Sequence, residues 1–161
     1  MKQSSNEELG HWNFYGNFPN YFDTSTYTGF IYMIENKVTN QFYIGKKQMR
    51  HGGKKKSKTY GKEMPWRTYT GSSTHLNNAI KEIGKDKFEF LIIDLYKTKG
   101  GLYYAEAYSQ MLLGVMTEKL ECGVAPRFYN GQIAAIRFAP KEVVTSNTHK
   151  FIRNFKRRYR K

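Results

Sequence analysis

Two tyrosines, Tyr32 and Tyr43, stand 11 residues apart in short apolar runs, GFIYMIE and QFYIGK. The first run alternates as a strand does, with Ile31 and Met33 on one side and Phe30, Tyr32 and Ile34 on the other. The connection NKVTN is turn-forming at both ends, so the runs predict a hairpin over 29–35 and 41–46. Pairing Ile34 with Gln41 sets Tyr32 opposite Tyr43 on one face. Lys46 and Lys47 follow at once. An ammonium beside a phenol favours the phenolate, the form that accepts a proton from water. Opposed aromatics also serve as plain cross-strand packing, and pattern alone leaves both readings open.

Glu106 is the only acid of a helical stretch, 101–116. Tyr104, Tyr108, Met111, Leu112 and Val115 form an apolar arc, and Glu106 lines up with Leu102 and Leu113 beside it. A lone carboxylate there is a paired structural group or a metal ligand. None of the four histidines pairs at ligand spacing, but His75 opens a helix and is placed to meet a phosphate. GGKKKS at 52–57 lacks the spaced pattern of a phosphate-binding loop. Cys122 reads as a packing residue. A single cysteine excludes an internal disulfide framework and a cysteine zinc cluster, and fits a reducing setting.

The chain of 161 residues carries a formal charge of +14. Residues 46–67 hold +8 and residues 149–161 hold +7, so the remainder is near neutral at −1. Such blocks seek a polyanion, nucleic acid ahead of membrane. The first block offers Lys46, Lys47, Arg50, Lys54, Lys55, Lys56, Lys58 and Arg67; the second offers Arg153, Lys156, Arg157, Arg158 and Arg160. In the second block aromatics alternate with cations and could stack on exposed bases. No run is long and apolar enough to span a bilayer, and MKQSSNEELG lacks the apolar segment of a secretory signal. The expectation is a cytoplasmic protein with no membrane partner and no evident obligate protein partner.

Several elements must position these groups. Leu76, Ala79, Ile80 and Ile83 predict a helix, with Ser72 or Ser73 as its cap and Gly84 past its end. FEFLIIDLY at 88–96 predicts a buried strand, and 127–138 a further strand or short element. Residues 1–27 read as a loose N-terminal extension that packs through Trp12, Phe14, Tyr15 and Phe18. The expected fold is α+β, a small three-stranded antiparallel sheet flanked by helices. Its division is 1–27, an extension; 28–140, the domain, with 46–67 as a basic loop; and 141–161, a basic tail.

FIY at 30–32 and YIG at 43–45, with that spacing, resemble the paired motifs of the GIY-YIG nucleases. YIGK, then YTGSS…L…AI…G…F over 69–88, the helix bearing Glu106, and YN at 129–130 resemble small phage-encoded, Seg-like homing endonucleases of that family. The resemblance spans about 29–133. It implies a metal-dependent DNA endonuclease with one divalent ion, magnesium foremost, held by Glu106. It implies Tyr32 and Tyr43 as the motif tyrosines, Tyr32 being the first choice of base, and Asn130 as a supporting asparagine. Gly45 would let backbone approach a phosphate. The family places an arginine on the helix after YIG, but 74–83 contains none. Lys46, or secondly Arg67, is expected to substitute. The alternatives are a nucleic-acid-binding protein that keeps the fold without catalysis, and a small basic ribonucleoprotein-type protein.

Overall fold

A computed structural model describes residues 6–19, 22–133, 135–137 and 139–159. A helical turn α1 (Asn6–Leu9) precedes a short strand β1 (Asn13–Phe14). Strands β2 (Gly29–Asn36) and β3 (Gln41–Gln48) form the expected hairpin. Helix α2 (Thr74–Ile83), strand β4 (Phe88–Tyr96), and helices α3 (Lys99–Leu113) and α4 (Ser146–Tyr159) follow. The sheet has four strands in the order β1-β4-β2-β3. β2 pairs antiparallel with both neighbours, and β1 pairs parallel to β4. The sheet is therefore mixed, not the three-stranded antiparallel one expected. Two residues of β1 are too few to carry a sequence period.

The hairpin register differs by two residues from expectation. Tyr32 faces Gly45, Ile34 faces Tyr43 and Asn36 faces Gln41. Asn36 sets this. Its carboxamide oxygen accepts from the amides of Val38 and Thr39, and Asn40 turns the chain at φ 58°. A two-residue slip keeps every side chain on its face, so the tyrosines remain neighbours, on a diagonal.

Each face of the sheet carries its own core. Ile31, Met33, Phe42 and Ile44 pack beneath α3 and α4. Phe30, Tyr32, Ile34 and Tyr43 pack with Leu76 of α2, Trp66 and Trp12. The N-terminal segment belongs to this second core. Trp12 is buried, its indole N–H donates to the Trp66 carbonyl, and its ring meets Tyr32.

The C-terminal block is a packed helix. Phe151, Ile152 and Phe155 are buried against the first core. Burying one such side chain contributes about 1.5–3 kcal/mol. A like-charge pair on a helix costs only about 0.2–0.5 kcal/mol, so packing wins over self-repulsion. This corrects the expectation of stacking aromatics: Phe151 and Phe155 are core, while Arg153, Arg157 and Arg158 face solvent and Lys156 is half-buried. Arg160 lies outside the described residues.

In α3 the inward stripe is Leu102, Ala105, Glu106, Ser109, Gln110 and Leu113, and Met111 is 67% exposed. The apolar arc predicts the wrong stripe because small and polar residues give the helix its close approach to β3. Segment 127–133 forms no strand, only a bridge between Phe128 and Phe42. Cys122 is exposed, not packed. No helix among the described residues is long and apolar enough to cross a membrane.

Candidate active site

β3 is an edge strand, and its outer edge is sealed from the side by residues 127–130. The Phe42 amide donates to the Arg127 carbonyl, and the Tyr129 amide to the Phe42 carbonyl. Asn130 continues the pairing with its side chain. Its carboxamide oxygen accepts from the Ile44 amide at 3.1 Å, and its amide donates to the Ile44 carbonyl at 2.8 Å. Gln110 of α3 donates to the same carbonyl at 2.9 Å. The backbone between Tyr43 and Gly45 is thus fixed from two elements.

Beyond this point the edge opens into a cavity of about 400 Å³. Tyr43, Lys46, Ser72, His75, Glu106 and Asn130 are among its lining residues. It straddles the sheet edge. Tyr43 comes from the α2 face, and Lys46, of opposite strand parity, from the α3 face. Lys46 therefore does not stand beside the phenol. Its ammonium donates to Glu106 Oε2 at 2.6 Å and lies 4.1 Å from the Tyr103 ring centre. Glu106 is 9% exposed, and its other oxygen receives only a long hydrogen bond from Gln110, at 3.4 Å.

Tyr43 shares a hydrogen bond with Ser72 at 3.1 Å. Two positions decide this. Gly71 takes φ 86°, and Ser73 accepts from the Leu76 amide as the cap of α2, which leaves Ser72 free to meet the phenol. Tyr32 lies behind Tyr43, with ring centres 6.0 Å apart, and is 1% exposed. It does not line the cavity. Burial pushes its phenol well above the usual range, and the neighbouring Tyr43, Tyr69 and Glu106 push it further. Burial also raises Tyr43, with the Ser72 hydrogen bond opposing. Neither phenol is lowered by a lysine, which corrects the expected activation by Lys46 and Lys47.

The two tyrosines require a glycine at position 45. A Cβ there would lie 2.6 Å from Tyr32 Oη and 2.8 Å from Tyr43 Cε1. Gly45→Ala is expected to destabilise the fold by about 1–3 kcal/mol, since overpacking moves rings or backbone. It is also expected to lower any turnover about 100-fold through a displacement of about 1 Å. Thermal unfolding and single-turnover cleavage measure the two effects; unchanged turnover would show that the tyrosine stack is only packing.

The other residues expected at the site fall elsewhere. Arg67 is not brought to the cavity: its guanidinium pairs with Glu63, donates to the Glu8 carbonyl and covers Trp66. Lys47 lies 4.4 Å from the Tyr69 ring centre, on the α2 face, and burial lowers its pKa. Arg50 donates to the Thr24 and Gly61 carbonyls and to the Thr24 hydroxyl, which closes the neck of the basic loop. Lys54, Lys55, Lys56 and Lys58 are exposed on that loop. Residues not foreseen are Gln110, which braces Ile44, and Tyr69, which packs edge-on against Tyr32. TYTGSS signals only a cap, and Gln110 carries no signal in the sequence.

A divalent ion fits this donor set in one way. Among the described residues no three His, Cys, Asp or Glu side chains cluster, so a multi-carboxylate cage is absent. Glu106 faces a cavity lined by hydroxyl and amide groups together with the Lys46 ammonium and His75, which suits a hard cation that keeps its waters once Lys46 leaves the carboxylate. Asn130 is committed to Ile44 and is not a free ligand.

No curated protein and no solved structure matches the chain. The family model described as "Putative endonuclease segE, GIY-YIG domain" matches residues 12–133, a span that contains β1 to α3 and every residue named around the cavity. The chain belongs to the SegE-type GIY-YIG nuclease family.

Proposed function

We propose that the protein is a metal-dependent DNA endonuclease of the homing type, cutting phosphodiester bonds in the cavity at the β3 edge. One observation carries the reading: Tyr43, Lys46, His75 and Glu106, from β3, α2 and α3, line a single cavity. Hydrolysis of a phosphodiester needs a proton acceptor for water, charge neutralisation on the phosphoryl oxygens and stabilisation of the leaving oxygen. Tyr43 is the acceptor, because it lines the cavity with its hydroxyl against Ser72, another lining residue, while Tyr32 is enclosed. Ser72 orients that hydroxyl. Tyr32 acts by holding the Tyr43 ring. Lys46 supplies the cation that α2 does not, and on substrate binding its ammonium passes from Glu106 to a phosphoryl oxygen. His75 donates to a second oxygen. Asn130 and Gln110 hold the strand. A magnesium ion held by Glu106 supplies Lewis-acid stabilisation of the leaving oxygen when bound.

In this reading the nuclease unit takes in β1 and α4 together with residues 28–140, because Trp12 and Phe155 pack into its two cores. The 46–67 loop and residues 141–161 hold the duplex through Lys54, Lys55, Lys56, Lys58, Arg153, Lys156, Arg157 and Arg158, and the setting is cytoplasmic. A binding-only reading is favoured by one feature, the absence of any arginine from α2. A supercoiled plasmid separates the two. Wild type with magnesium is expected to convert it to nicked or linear form, and chelation is expected to stop conversion. Binding without conversion at any magnesium concentration would establish the second reading.

A further inference from the structure

A second cavity, of about 310 Å³, opens beside the first along β3. Thr28, Gln48, Arg50, Tyr60, Lys97 and Lys99 help to line it, and no acid does. Gln48 follows Lys46 by two residues, about 6.8 Å along the same strand face. Tyr103 connects the two places. Lys46 approaches its ring at 4.1 Å and Lys99 at 5.5 Å, so a line of cations runs from Glu106 to the second cavity.

The position of two of these cations is costly to the fold. Lys97 and Lys99 flank Thr98, the cap of α3, at the positive end of that helix, where a cation is unfavourable. Both are exposed, and neither forms an ion pair among the described residues. Glu142, a carboxylate at this end, is spent on the Lys97 and Thr98 amides and the Thr98 hydroxyl. Arg50 keeps its charge at the rim while its bonds to Thr24 and Gly61 fix it. Tyr60 is 44% exposed and offers a ring face. Cations, hydroxyl groups and a ring, with no acid among the lining residues, are the chemistry that meets a sugar–phosphate backbone.

We propose that this cavity is a second phosphate seat, which holds the DNA strand to one side of the bond being cut. The inference rests on the nuclease reading for its orientation, but its test does not depend on cutting. The probe is a fluorescein-labelled duplex of random sequence, followed by anisotropy over a salt series. The variants are K97A/K99A and, as an equal loss of charge at the far end of β4, K85A/K87A.

K97A/K99A is expected to weaken binding and to reduce the salt slope by about 0.9 for each phosphate no longer neutralised. K85A/K87A is expected to leave the slope unchanged. In cleavage, K97A/K99A is expected to raise KM about tenfold at unchanged kcat, the mark of lost uniform binding. Equal effects of the two double variants would overturn the seat, because charge alone would then explain both. So would an unchanged slope for K97A/K99A with competition by inorganic phosphate abolished, since the cavity would then serve a small anion. Failure of the nuclease reading is seen separately, as wild type that binds without cutting.

Discussion

Tyr43→Phe is expected to lower DNA cleavage by about 10²–10⁴-fold, the usual contribution of a positioned general base. The hydroxyl removed belongs to a tyrosine that lines the cavity, and its loss takes the hydrogen bond to Ser72. The ring and its packing stay. The pH profile makes the role specific. Burial raises the Tyr43 phenol above its ordinary value of 10.0, so it is protonated at neutral pH. Its phenolate fraction rises with pH. Cleavage by wild type should therefore climb with pH through and above the neutral range. Tyr43→Phe should flatten the profile. Tyr32→Phe should lower the rate yet keep the slope, because Tyr32 is enclosed and acts on the ring beside it. A slope retained in Tyr43→Phe and lost in Tyr32→Phe would reverse the assignment.

Glu106→Gln is expected to have the largest effect, a loss of at least about 10³-fold. Lewis-acid stabilisation is worth several kcal/mol, and each 1.4 kcal/mol or so is a factor of ten. Glutamine keeps the size of the side chain and an oxygen that accepts from Lys46, so the contact survives as a hydrogen bond from a charged ammonium to a neutral amide. Stability should fall by up to about 3–5 kcal/mol, the cost of leaving one charge of a largely buried pair uncompensated. DNA binding should hold or tighten, since a negative charge leaves the cavity. A loss of turnover together with loss of fold would point to a purely structural carboxylate.

Much of this site is legible in the sequence. Strand alternation and the FIY and YIG runs locate Tyr32 and Tyr43, and the solitary acid of α3 locates Glu106. What the residues do not disclose is direction. A two-residue register slip, set by the Asn36 carboxamide, replaces direct opposition with a diagonal and leaves Gly45 under the Tyr32 ring. Strand parity sends Lys46 to the α3 face, so nearness in sequence to Tyr43 misleads. Arg67 looks available because it precedes TYTGSS, but Glu63, four residues earlier, already holds it. The two-residue strand β1 and the buried face of α3 are hidden for a common reason. One is too short to show a period, and the other is built from Ala105, Ser109 and Gln110, which hydrophobicity does not mark. The C-terminal cations are visible as charge, but the i, i+4 pair Phe151 and Phe155 that docks their helix resembles mere interleaving when only the sequence is considered.

The most direct measurement is single-turnover cleavage of pre-bound duplex DNA in magnesium, wild type against Glu106→Gln, with binding checked in the same samples. The account predicts cleavage by wild type, its loss by about 10³-fold or more in the variant, and equal or tighter binding by the variant. Equal cleavage by both proteins would contradict it.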